Sequence, residues 1–119
     1  MSRLRRALAA AAGPLALALP LTLGAAAAPA HAATGGFSYT YESPGGPRTG
    51  YLIDPPSGVC LTLPEVAREY ETPPAHSPRN DTGSPATVYT GPDCSGASYR
   101  LRPGGRASER LKLRSVVFF

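Results

Sequence analysis

Cys60 and Cys94 are the only two cysteines of this 119-residue chain, and thiol pairing is the one covalent chemistry that residue type and count suggest directly. In an oxidising compartment the two are expected to bond, and the chain-entropy model values the loop so closed at roughly 4 kcal/mol. A zinc site is not available by count. Once the N-terminal segment described below is removed, His76 is the only histidine, and two cysteines with one distant histidine do not make a four-ligand set. Nucleophilic catalysis finds no support either. Ser57-Gly58 and Ser95-Gly96 read as turn dipeptides, His76 lies among prolines, and no G-x-S-x-G or Ser-His-Asp context surrounds them. The expectation is therefore a non-enzyme with no catalytic residue, cofactor or metal. Asn80-Asp81-Thr82 fits a glycosylation acceptor, but Asn80 is read as a turn residue. Glu65, Glu69 and Glu71 are read as a solvated face, because a hard cation needs more oxygen ligands than they supply.

The cations form a second set. Arg100 and Arg102 share one face of a period-two stretch, and Arg110, Lys112 and Arg114 share a face of another. If these stretches neighbour one another in a sheet, the five side chains make one basic surface on which an anionic polymer could dock. The plainer reading is that outward strand positions tend to be charged, with long stems covering apolar surface and discouraging edge pairing.

The segment 1–32 is a different kind of sequence. Arg3, Arg5 and Arg6 precede an almost wholly apolar run from Ala7 to Ala28, and Ala30-His31-Ala32 matches a secretory cleavage pattern. A signal peptide cut between Ala32 and Ala33 is expected, by the general or the twin-arginine route, and hence a secreted, extracellular protein with no membrane segment after cleavage. The alternative is an uncleaved anchor, against which Pro14 and Pro20 interrupt the run. The full chain carries a net charge of +4, but three cations leave with the signal, so residues 33–119 hold nine Lys+Arg against eight Asp+Glu. That balance excludes nucleic acid as an expected partner. The charge is uneven: residues 33–96 hold three cations and seven anions, residues 97–119 six cations and one anion.

A mature domain at 33–119 has a thin core by surface-to-volume scaling, which makes a covalent staple useful. Its elements read as strands. Phe37 to Tyr41 alternates aromatic and hydroxyl residues, Tyr51-Leu52-Ile53 is a short apolar run, and Val59 to Leu63 is the best strand of the first half. Pro64 ends it, and Glu65 to Glu71 allows one helical turn. Thr72 to Pro85, rich in Pro, Ser, Asn, Asp and Gly, is expected to be a long loop or an irregular edge strand. Tyr99 to Arg102 and Arg110 to Arg114 are expected to form a hairpin reversed at Pro103-Gly104-Gly105.

Sliding the chain on itself by 38 residues superposes Tyr51 on Tyr89, Ser57 on Ser95, Gly58 on Gly96, Leu63 on Leu101, Glu71 on Glu109 and Ser77 on Ser115. Each copy thus has an aromatic, a glycine, a leucine-bearing strand and a serine. That arrangement resembles the Greek-key motif of the βγ-crystallins, and with Cys60-Leu61-Thr62-Leu63-Pro64, Asn80-Asp81-Thr82, Val88-Tyr89, Cys94-Ser95-Gly96, Pro103-Gly104 and Ser115-Val116-Val117-Phe118 it is similar to the small secreted βγ-crystallin-like proteins of actinomycetes, a group that includes a metalloproteinase inhibitor and killer-toxin-like proteins. The resemblance implies an all-β fold of two Greek-key motifs, about 37–80 and 86–119, in a small sandwich with one disulfide. Tyr51, Leu61, Leu63, Tyr89, Tyr99, Leu101, Leu111, Leu113, Val116 and Phe118 should line its interior. The family's calcium positions fall here on Arg110 and Leu111, and on Thr72 and Pro73. None of these offers a carboxylate or amide oxygen, so no calcium is expected.

Two functions follow as expectations. One is a secreted, monomeric binding or inhibitory protein acting on an extracellular protease or other secreted protein, with Thr72 to Pro85 as its loop. The other is a cell-envelope or structural protein held to anionic cell-wall polymer by its basic C-terminal face.

Overall fold

The computed structural model describes residues 32–119. The expected signal lies outside the described residues except for its last residue, Ala32. Among the described residues no helix is long and apolar enough to cross a membrane. The fold is all-β. Among the described residues eight strands run β1 (Gly35–Ser43), β2 (Gly46–Ile53), β3 (Leu61–Thr62), β4 (Ala75–Thr82), β5 (Ala86–Tyr89), β6 (Ser98–Leu101), β7 (Lys112–Leu113) and β8 (Ser115–Phe118). They form two antiparallel four-stranded sheets, ordered β2-β1-β4-β7 and β3-β8-β5-β6. Each half of the chain thus builds most of one sheet and sends its third strand into the other.

The aromatic alternation of β1 sets the first sheet. Phe37 and Tyr39 are buried while Gly36, Ser38 and Thr40 face away, as the period of two requires. Pro44-Gly45 makes the two-residue turn into β2, where Ser43 Oγ donates to Gly46 O at 2.6 Å. Gly50 is opposite Tyr39 and must lack a side chain, since a Cβ there would run into the phenol ring. Between the sheets Phe37 meets Phe118 edge to face with centroids 5.4 Å apart, a favoured aromatic geometry. Leu63, Val66, Val88, Leu113 and Val116, all fully buried, complete the core.

Several expectations are corrected. Thr72 to Pro85 is neither loop nor edge, because β4 occupies most of it and pairs with β1 and β7. Its composition disguised it: Pro78 has no N–H for the ladder, and the strand absorbs it in a bulge where the register steps from Ser38↔Arg79 to Thr40↔His76 and Ser77 takes φ +54°. Nor do Tyr99–Arg102 and Arg110–Arg114 pair with one another. β6 pairs with β5 and β7 with β4 in the other sheet. The Pro103-Gly104-Gly105 turn does form, with Gly104 at φ +80° and Gly105 N–H on Arg102 O at 2.8 Å, but it hands the chain across to the first sheet. Of the expected interior, Tyr51 and Tyr99 are 66% and 51% exposed. Tyr51 pairs with Ser38 and so faces outward, while Tyr99 sits on an edge strand opposite Val88 with half its surface open. The 38-residue superposition matched β2 to β5, whereas the strand exchange relates β1 to β5 and β2 to β6.

Cys60 and Cys94 are bonded, with Cα atoms 6.0 Å apart. The bridge ties the residue preceding β3 to the β5–β6 connection, so the two halves are joined covalently as well as by strand exchange. Ser115, fully buried, reinforces that connection by donating Oγ–H to Gly91 O at 2.6 Å and accepting Cys94 N–H at 2.8 Å. Asn80 is fully buried and belongs to β4, so it is not a turn residue and offers no acceptor for a glycan. Its amide donates to Ser84 O and Leu101 O and its Oδ1 accepts from Thr82, which closes the bend after β4 and pins the end of β6.

Candidate functional site

The connection between β3 and β4 is built round one buried cation. Leu63 is buried and its N–H donates to Arg114 O at 2.8 Å, so the segment starts from a fixed point. Pro64 opens a short 3-10 turn, Pro64–Val66, at the first-turn position that its fixed φ suits, in line with the single turn expected there. Val66 is buried beneath it. Glu65 reaches back to the first sheet, where its Oε1 accepts the Tyr39 O–H at 2.7 Å. Burial foremost, and then the Glu65 carboxylate, pushes the Tyr39 phenol well above its ordinary range.

The chain then folds into a tight turn. Arg68 O accepts the N–H groups of Glu71 and Thr72 at 2.9 and 3.0 Å, and the Thr72 hydroxyl at 3.1 Å. Arg68 and Glu71 form an exposed ion pair across it at 3.2 Å, a contact of little energetic weight. Tyr70 stands at the tip with 95% of its surface open.

Behind this turn lies Arg114, only 6% exposed. Its guanidinium donates to three backbone carbonyls, Val66 O at 2.8 Å through Nη1, and Glu69 O at 3.2 Å and Thr72 O at 2.7 Å through Nη2. One nitrogen therefore holds the carbonyls on either side of Tyr70-Glu71. The fork of a guanidinium suits this task, since its donors are fixed in a plane and charge-assisted bonds are stronger than neutral ones.

Arg114 accordingly leaves the expected basic surface. The reason is topological: β7 ends at Leu113 in one sheet and β8 begins at Ser115 in the other, so the period-two alternation from Arg110 through Lys112 breaks at the crossing and Arg114 turns inward. Arg100, Arg102, Arg110 and Lys112 are exposed, but Arg100 belongs to β6 in the second sheet and Lys112 to β7 in the first. Reading by residue type also passed over the Tyr70 turn as a solvated acidic stretch. The available signal was Arg114 itself, a lone cation inside the continuously buried run Leu113–Phe118.

Among the described residues no group of three or more His, Cys, Asp or Glu side chains gathers as metal ligands would. His76 Nε2 lies 2.9 Å from Glu42 Oε2 and its Nδ1 2.9 Å from Ser77 Oγ, a pair joining β4 to β1. Compared with known family models, curated proteins and solved structures, the chain matches none.

Proposed function

We propose that this protein is exported, loses residues 1–32, and acts outside the cell as a non-enzymatic binding protein that grips another secreted protein through the Tyr70 turn. The observation that carries this reading is the clamp: Arg114 holds Val66, Glu69 and Thr72 from within while Tyr70 projects into solvent. An exposed aromatic on a pre-ordered backbone is a favourable anchor, because tyrosine buries a large area on binding and little ordering entropy is left to lose. An extracellular protease is the proposed target class. Since Arg68–Thr72 is turned rather than extended, inhibition through this loop would act by occluding the enzyme and not by threading a substrate-like strand.

The same proposal includes the βγ-crystallin-like reading, two Greek-key units of about 37–80 and 86–119. Its supports are the reciprocal exchange of β3 and β7 between the sheets and the seating of the buried Ser115 on the β5–β6 connection.

Pull-down from culture supernatant with the tagged protein and its Tyr70→Ala variant tests the function. A stoichiometric partner held by the parent and lost by the variant, with an unchanged melting temperature, is expected. Equal capture by both would place the contact elsewhere.

A further inference from the structure

A second constellation lies on the outward face of the first sheet and shares no residue with the Tyr70 turn. The pairing register places Tyr51 opposite Ser38, Ser38 opposite Arg79, and Arg79 opposite Arg106, one row across four neighbouring backbones. Because Phe37 and Tyr39 of β1 point into the core, this row points away from it. Gly36 and Thr40 flank Ser38 on the same face of β1, so the centre of the sheet is a shallow trough of small residues. On one side stand Tyr51 and Ile53, 66% and 69% exposed. On the other stand the two arginines.

Like charges directly opposite one another in a sheet repel, so an anion beside the Arg79 and Arg106 pair would relieve that repulsion. Asp81 does so in part with Oδ2 at 2.9 Å from Arg79 Nε. Arg106 forms no ion pair among the described residues. Strands lie about 4.8 Å apart, which sets Tyr51 about 10 Å from Arg79 and about 14 Å from Arg106 along the row, measured at the backbone.

We propose that this face holds an anionic polysaccharide, with one sugar ring laid on Tyr51 and the carboxylate or phosphate of a nearby unit taken by Arg106 and Arg79. An exposed aromatic, a row of small residues beside it, and a guanidinium with no ion-pair partner among the described residues together fit a ribbon that alternates ring faces with oxyanions.

Affinity electrophoresis of the purified protein in native gels tests this, with polygalacturonate and a phosphodiester-linked mannan as separate probes and fully methyl-esterified polygalacturonate as the neutral match. Retardation by at least one anionic probe and none by the neutral polymer is expected. A carboxylate source is indicated if polygalacturonate acts alone and a phosphate source if the phosphodiester-linked mannan does. Arg106→Gln should weaken the retardation about tenfold, the scale of one charge-assisted hydrogen bond, and Tyr51→Ala should weaken it as well. Arg100→Gln, in the other sheet, should leave it unchanged. Failure of both anionic probes, equal loss in Arg106→Gln and Arg100→Gln, no effect of Tyr51→Ala, or equal retardation by duplex DNA would overturn the proposal.

Discussion

Replacing Arg114 by methionine keeps most of the buried stem and removes the guanidinium, leaving three carbonyls without their donor. The bond to Val66 O is buried, and those to Glu69 O and Thr72 O are part-buried, so water can reach the last two once the arginine is gone. A buried acceptor left unpaired costs about 1–3 kcal/mol. Taking the upper part of that range for Val66 O and a fraction of it for each of the others gives a loss of roughly 3 kcal/mol, reduced somewhat by the desolvation a buried cation no longer suffers. For a domain of this size that loss corresponds to a fall in Tm of roughly 12–24 °C. Urea unfolding followed by far-UV circular dichroism measures it, with an unchanged m-value showing that the two-state transition is intact. Arg114→Lys should fall between, because an ammonium keeps the charge without the planar fork. Amide exchange adds a local readout: the Glu71 and Thr72 N–H groups bonded to Arg68 O should lose protection in the methionine variant well before those of β1. A stability loss under about 0.5 kcal/mol, the range of an ordinary surface substitution, with protection at Glu71 and Thr72 intact, would refute the clamp.

Three other outcomes are expected. The Tyr39 phenol is raised above its ordinary value of 10.0 by burial and by Glu65, so the folded chain holds that proton more tightly than the unfolded one; its contribution is complete below pH 10, and stability should decline as pH rises beyond it, a decline that Tyr39→Phe should flatten in alkaline urea titrations. Free-thiol titration under denaturant should find no reactive thiol, and Cys60→Ser with Cys94→Ser should cost roughly 4 kcal/mol by the chain-entropy model. Calorimetric titration with millimolar calcium chloride should give no saturable heat and no rise in Tm, since the Thr72 carbonyl is already taken by Arg114 and Arg110 is an exposed cation; a shift of several degrees would show that the calcium positions were misassigned.

The all-β class and the disulfide were legible in the residues, because both rest on local or counted properties. Alternation in Phe37–Tyr41 is a property of five consecutive residues, and two cysteines have only one intramolecular pairing. The burial of Leu63, Leu101, Leu113, Val116 and Phe118 was readable for the same reason. What the residues did not show was which strand lies beside which. Pro78 and a polar composition masked β4, whose place between β1 and β7 comes from hydrogen bonds to distant segments and from a bulge that spares the proline. The period-two pattern of Arg110–Arg114 holds as a strand only at Lys112–Leu113, with Arg110 in the turn before it and Arg114 turned inward, because periodicity describes one strand in one sheet and says nothing of where the chain enters or leaves it. Both candidate surfaces depend on such long-range placement. The Tyr70 turn is held by a residue 42 to 48 positions away, and the Tyr51 to Arg106 row is assembled from β2, β1, β4 and the segment after β6. Residue type and spacing therefore determined what each segment can form, while the crossing of the chain between the two sheets, decided only by tertiary packing, determined which side chains meet.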